Sequence, residues 1–345
     1  MRRSSSTVSV LHPVRKRLVP TDGTVANPYL ELTIQSLPSD RVSNLYWSWS
    51  RAIFGRYDLL HLHWPDELAH ASGRLQRWSK RFCLALLIFR IRATRVRVVR
   101  TVHNLEPHES TSGVSAALVG MLGAETSHWV VLNEVTPTPD RTRTTLIPHG
   151  HYRGWYRADP RSPQSGRLIV FGLIREYKGI DDFVRVFGSM PGKFSLCVAG
   201  RADDPQLAES VREAARGDNR VDLQTRFVPD AELAGMIMDA ELVVLPYRQL
   251  HNSGAALLAL SLGRPVVCPS SPTTERLASE FGNQWIITYE SPLDPSKLAD
   301  AVRRAQDGSL AGNSEPDLSA RDWPKLGEAL AAVYERVARC DSSHV

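Results

Sequence analysis

The chain has 345 residues, 42% hydrophobic and 23% charged, with a formal net charge of +5. That length predicts two domains, and that composition excludes an intrinsically disordered protein. Its four cysteines (Cys83, Cys197, Cys268, Cys340) lie far apart without a CxxC pair, which argues against a disulfide framework or structural zinc site and for a reducing compartment.

The basic N-terminus, MRRSSSTVSVLHPVRKR, lacks the apolar stretch of a signal peptide. The lipophilic run 82–89 is about half the length of a membrane span. A cytoplasmic protein, soluble or peripheral on the inner face of the plasma membrane, is therefore expected. Residues 1–154 carry 20 Lys and Arg against 11 Asp and Glu, whereas residues 155–345 carry 22 against 26. The basic character belongs to the first half alone.

In chain order, short β-branched runs alternate with helical stretches, the pattern of α/β domains with parallel sheets. Strands are expected at 57–63, 95–102, 128–132 and 144–147, with a helix over 75–91. The polar segment 151–166 reads as a linker. A second series follows, with strands at 168–171, 194–199, 221–227, 242–245 and 265–268, and helices at 179–187 and 253–262. A last amphipathic helix is expected over 321–338. The domain boundaries predicted are 1–154, 155–320, and a terminal helix and tail at 321–345.

In open parallel sheets, ligands bind beyond the carboxyl ends of the strands, so residues just after strands carry the functional signal. Gly172-Leu-Ile-Arg175-Glu-Tyr-Lys178-Gly179 lies between a strand and a helix. There, two cations and a close-approaching glycine backbone suit a diphosphate. A solvated turn with ordinary surface cations is the plain alternative. In the later strand–loop–helix, Ser253 and Gly254 open a helix whose N–H groups favour phosphate oxygens. A simple serine cap would explain that much, but not the Arg248, His251 and Asn252 cluster before it.

Together, "FGLIREYKGI" and "LPYR…SGAALLALSLGRPVV" resemble the nucleotide-sugar domain of GT-B glycosyltransferases, especially glycosyltransferase family four and its relatives. "LHLHWP", "TVHNLEPHE" and "IPHGHY" resemble bacterial enzymes of exopolysaccharide and glycolipid assembly, mannosyltransferases among them. The resemblance covers roughly 57–305. It implies two Rossmann-like domains facing across a cleft, with a C-terminal helix packing back toward the first. It also implies transfer of a hexose, mannose or glucose, from a nucleotide-diphosphate sugar such as GDP-mannose to a lipid-linked, glycan or small-molecule acceptor. By the same resemblance Arg175 and Lys178 hold the donor diphosphate, while Ser253 and Gly254 receive its phosphates. One departure stands out: the family's paired glutamates fall at Leu250 and Leu258, which can grip neither ribose nor sugar. Glu275 is a candidate substitute for the ribose contact.

On the acceptor side, His103, Asn104, Glu106, His108 and Glu109 crowd one strand end with groups able to hold or move protons. His103 is the leading candidate for the base, or for a contact to the donor sugar, with Glu106 and Glu109 behind it. His63 and Asp66 end a neighbouring strand, while Trp64 and His61 are expected to be structural. The missing glutamates tilt the expectation toward an inverting, β-mannosyltransferase-like reaction. No DxD pattern is well placed, and the resemblance implies a reaction needing neither metal nor cofactor.

Residues 71–100 hold nine Arg and Lys and no Asp or Glu. The cations Arg74, Arg77, Lys80, Arg81 and Arg90, with Trp78, surround the 82–89 run in the manner of an interfacial helix on an anionic membrane (basic helix 74–97). An ordinary domain helix with solvated arginines is compatible with the same residues. Rival functions are a noncatalytic GT-B-like partner subunit, a sugar-nucleotide epimerase or phosphorylase relative, and a nucleic-acid-binding protein. The last leaves the acidic second half unexplained and lacks a recognised motif.

Overall fold

A computed structural model of the chain describes residues 7–14, 27–71, 73–103, 113–156, 159, 161–248, 250, 252, 254–310 and 315–339. The chain divides into two compact units, Met1–Gly150 with Arg321–Val345, and His151–Ala320.

The first unit contains β1 (Val8–His12), α1 (Pro28–Ser36), β2 (Val42–Tyr46), α2 (Trp49–Phe54), β3 (Leu59–Leu62), α3 (Arg74–Ala93), β4 (Arg97–Val102), α4 (Val114–Ala124), β5 (Thr126–Val131) and β6 (Thr144–Leu146). Its six strands are all parallel, in the order β2-β1-β3-β4-β5-β6. Alternation along β3 sends Leu60 and Leu62 to one face, where they pack with Leu84, Leu87, Ile88 and Ile91 of α3. Leu59 faces the other way.

The second unit contains β7 (Gln164–Phe171), α5 (Ile180–Gly188), β8 (Ser195–Ala199), α6 (Pro205–Ala214), β9 (Val221–Gln224), α7 (Asp230–Asp239), β10 (Ala240–Val244), α8 (Gly254–Ser261), β11 (Val266–Pro269), α9 (Pro272–Phe281), β12 (Ile286–Tyr289) and α10 (Pro295–Leu310). The parallel order is β12-β11-β10-β7-β8-β9, the doubly wound arrangement whose order reverses between β7 and β10. Caps fix several helix starts. In α9, Ser271 and Thr274 form a reciprocal capping box, with Pro272 at the first position.

The last helix, α11 (Trp323–Arg339), belongs to the first unit. It covers the Leu59 face of that sheet, where Leu326, Leu330, Ala331, Tyr334 and Val337 pack with Val10, Leu59, Val99 and Val130. A β-carbon on Gly327 would lie 2.0 Å from the Ser36 carbonyl oxygen, so glycine is what allows α11 to approach α1.

Three expectations change. The unit boundary falls at Gly150/His151. Segment 151–166 is not a loose linker: Tyr152 is buried and donates its N–H to Ser261 Oγ at 2.8 Å, Trp155 Nε1 donates to Asp230 Oδ2, and β7 begins already at Gln164. The strand expected over 221–227 ends at Gln224, where Arg226 turns its N–H back onto the Gln224 carbonyl.

Candidate functional site

The first sheet reverses its strand order between β1 and β3, and imidazoles gather at the carboxyl ends there. His12 closes β1, His61 lies in β3, His63 follows it by one residue and His103 follows β4 by one. All four are buried. His12 Nε2 donates to Asn44 Oδ1 at 3.0 Å, an orientation fixed because Asn44 Nδ2 donates to the Ile34 carbonyl. His61 contacts Thr101 Oγ1 through Nε2 (2.8 Å) and the Tyr334 hydroxyl through Nδ1 (2.6 Å). His63 Nδ1 and His103 Nε2 share a hydrogen bond of 3.0 Å.

Aromatic rings hold this group in place. Trp64 stacks on His103 at 4.2 Å between centroids, and the Tyr29 ring of α1 meets His103 edge-on at 4.9 Å and tilts against His149 at 4.6 Å. Burial lowers His12 to about 4, His149 to about 4 and His63 to about 3, with His12 adding to the effect on His63. Burial, then its histidine neighbours, holds His61 well below its ordinary range. His12, His61, His63 and His149 are thus neutral imidazoles, able to exchange hydrogen bonds without carrying standing charge.

His12, His61 and His63 are near enough to one another to raise the question of a metal ion. His61, however, has both ring nitrogens in hydrogen bonds, so in this arrangement the trio cannot present three open lone pairs.

In the second unit the residues after β7 and β10 flank the switch point. Lys178 is buried, its ammonium 5.1 Å from the centre of the Tyr247 ring, and burial, then Arg175, lowers it to about 8. Gly179 adopts φ +57°, and a β-carbon there would come within 3.0 Å of the Pro246 carbonyl oxygen. This close approach joins the loop after β7 to the loop after β10, as does the Arg248 N–H donated to the Tyr177 carbonyl. Arg175 is half-buried at the start of that turn. Arg248 is already paired, with Asp182 at 2.6 Å and Glu176 at 3.8 Å. Its charge first of all ties the second loop to α5.

Gly254 is the first residue of α8, and half-buried Asn252 precedes it by two. Leu258 is buried in α8, an apolar packing position. Glu275 is exposed in the first turn of α9, where Ser270 Oγ donates to it at 2.8 Å. Asp66 lies in the short turn after β3. Asn104, Glu106, His108, Glu109, His251 and Ser253 fall outside the described residues.

Comparison with known proteins adds the family. Residues 165–307 match the family model described as "Glycosyl transferases group 1". Over 313 residues the chain is 40% identical to a GDP-mannose:glycolipid 4-beta-D-mannosyltransferase of Xanthomonas campestris pv. campestris, covering 89% of this chain and 88% of that one. This chain belongs to the group 1 glycosyltransferases. A processive diacylglycerol alpha-glucosyltransferase of Acholeplasma laidlawii is 23% identical over 177 residues, about half of each chain. Among solved structures, Anabaena Alr3699/HepE in complex with UDP and glucose aligns with a TM-score of 0.61 at 13% identity, over 98% of this chain and 100% of that one. AviGT4, a glycosyltransferase involved in avilamycin A biosynthesis, aligns at 0.57 and 14%, over 96% and 98%. The fold of this glycosyltransferase is therefore GT-B, with one parallel six-stranded sheet in each unit. As an enzyme of this family, it moves a sugar from a nucleotide sugar.

His12, Tyr29 and Tyr334 lie outside every motif singled out in the sequence, and His149 belongs to "IPHGHY". The signal for His12 is present: "VSVLH" is a β-branched run ending in histidine, much as the strand over 95–102 is followed by His103.

Proposed function

We propose that this glycosyltransferase transfers mannose from GDP-mannose to a hydroxyl of a lipid-linked acceptor, with inversion and without a metal ion. The observation that carries the reading is the extent of identity to the Xanthomonas mannosyltransferase, which runs through both units. In this reading the acceptor oxygen attacks C1 of the sugar and the bond from C1 to the diphosphate breaks. The hydroxyl proton passes to His103. GDP leaves with its charge balanced by Lys178 and Arg175, whose placement after β7 at the switch point supports that role. A diphosphate beside Lys178 also favours the protonated amine, offsetting the effect of burial. Leu258 removes one carboxylate that could hold a ribose, and Glu275, in the first turn of α9, is the candidate replacement. The decisive assay offers GDP-, UDP-, ADP- and dTDP-sugars with a lipid-linked acceptor. Turnover with GDP-mannose and a product of inverted configuration is expected; turnover only with another nucleotide, or retained configuration, would overturn the reading.

The acceptor class also favours a peripheral position on an anionic membrane through α3. Among the described residues no helix is long and apolar enough to cross a membrane. The run 82–89 instead divides between two faces. Leu84, Leu87 and Ile88 are buried, while Leu75, Trp78, Phe82 and Phe89 are between 66% and 85% exposed. Spacings of three, four and seven put the exposed four on one stripe. Phe54 of α2 and Val114 and Met121 of α4 add to the exposed apolar surface beside it, and neither α3 nor α4 contains an acid. Arg74 and Arg77 are exposed in the first turns of the helix. Arg90 departs from the expected role: it donates to the carbonyls of Ala52 and Gly55 and lies over the Tyr57 ring, tying α3 to α2.

A further inference from the structure

The two rings of the His63–His103 pair have one proton to share between the nitrogens that meet. His63 is held neutral by burial, so it carries its own proton on one nitrogen only. Two arrangements follow. If His63 Nδ1 were the protonated atom, it would donate to His103 Nε2. Neutral His103 would then hold its proton on Nδ1 and could take up no other without breaking the pair. If His63 is protonated at Nε2 instead, its Nδ1 accepts from His103 Nε2–H, and Nδ1 becomes the basic nitrogen of His103. Once that nitrogen takes a proton, the imidazolium donates from Nε2, and His63 Nδ1 is the acceptor in place to receive it.

We propose that His63 is a positioning residue that fixes His103 as the Nε2–H tautomer and stabilises its protonated form. The inference rests on the reading of His103 as the group that takes the acceptor proton. In hydrolase triads a carboxylate orients the histidine in this way; here the partner is a neutral imidazole. Among the described residues, the groups packed around the pair include His61 and Trp64 from β3 and the turn after it, His12 from β1 and Tyr29 from α1. Tyr334 of α11 stands behind His61. Among the described residues no carboxylate contributes to the shift of His61 or His63. The stacked Trp64 and the edge-on Tyr29 hold the His103 plane, so the hydrogen bond to His63 selects the tautomer rather than the orientation.

The test uses His63→Leu, His63→Asn and His63→Gln in the full-length enzyme, beside His103→Ala. Asparagine places an amide oxygen near the position of Nδ1, and glutamine near that of Nε2. His63→Leu is expected to lower kcat about 10- to 100-fold with KM for the donor changed less than about twofold. The acidic limb of its pH profile should move to lower pH, because the protonated form of His103 has lost an acceptor. Asparagine should restore most of the rate and the position of the limb, and glutamine should not. Ring ¹⁵N shifts should report His103 as the Nε2–H tautomer in the wild type and a mixture in the leucine variant. An unchanged rate and limb in His63→Leu, or equal impairment in the asparagine and glutamine variants, would overturn the proposal. If the leucine variant does not fold, the contrast between asparagine and glutamine decides. Wild-type turnover by His103→Ala would instead remove the proton-accepting role of His103, and the ¹⁵N shifts would still show whether His63 orients it.

Discussion

The ammonium of Lys178 occupies the space beside Gly172 that a side chain would need: a β-carbon on Gly172 would lie 2.9 Å from Lys178 Nζ. Gly172 also holds φ at +93°, where other residues are strained. Gly172→Ala should therefore cost about 1–3 kcal/mol in chemical denaturation. It should also displace the ammonium, raising KM for the nucleotide sugar about tenfold or more. A variant with wild-type stability and donor KM would contradict this account of the loop.

Lys178, lowered to about 8 by burial, is charged at neutral pH but loses its proton just above it. In the proposed donor site, kcat/KM should fall as pH rises through about 8, since this quantity reports the free enzyme. Lys178→Arg should abolish that basic limb while lowering the rate. Lys178→Ala should lower kcat/KM about 10²-fold or more throughout.

Acid should unfold the first unit early. His12 and His63 have folded values near 4 and 3 against an ordinary 6.5, so the unfolded chain binds protons that the folded one refuses. Their contribution is complete above about pH 6.5 and is lost as pH falls from there toward 4 and below. The slope approaches about 1.4 kcal/mol per pH unit for each histidine within that window. Urea titrations between pH 7 and pH 4.5 measure it, and a flat stability over that range would contradict the neutral cluster.

The hydroxyl of Tyr334 is bonded to buried His61 at 2.6 Å. Tyr334→Phe keeps the ring but orphans His61 Nδ1, so a loss of about 1–3 kcal/mol in denaturant is expected. Restoration by a second change, His61→Leu, would show that the cost comes from the unpaired nitrogen rather than from packing.

For the exposed stripe of α3, flotation with vesicles containing anionic lipid is the direct measurement. Replacing Trp78 and Phe82 with serine should abolish association whatever the salt concentration. Replacing Arg74 and Arg77 with glutamine should weaken it most at low ionic strength. Arg90→Gln should act on stability instead, through the carbonyls of Ala52 and Gly55. Flotation unchanged by the serine pair would end the membrane reading.

The parts legible in the sequence were those in which position along the chain equals position in space. His63, His103 and Lys178 each follow an apolar strand run, so the alternation of strand and helix was enough to set them at or just beyond strand ends. The partners of those residues were not readable in this way. Tyr334 reaches His61 across 273 residues, and no local pattern announces such a contact. β1 is not among the expected strands, because its five residues lie within the short basic segment MRRSSSTVSVLHPVRKR. The two-faced character of α3 was present in its periodicity: Leu84, Leu87, Ile88 and Ile91 follow helical spacing. The run 82–89 concealed it because both faces are apolar.

The placement of α11 also sets an order of events during synthesis. The ribosome releases the first unit's strands early, yet α11, which packs on the Leu59 face of their sheet, is translated only after the entire second unit. Until Tyr334 emerges, the Leu59 face of the sheet and the His61 nitrogen remain exposed to water. The later-made unit can thus complete its core first, reversing the usual N-terminal-first sequence. A ribosome stalled before α11 emerged would hold a finished second unit while the Leu59 face of the first stayed open.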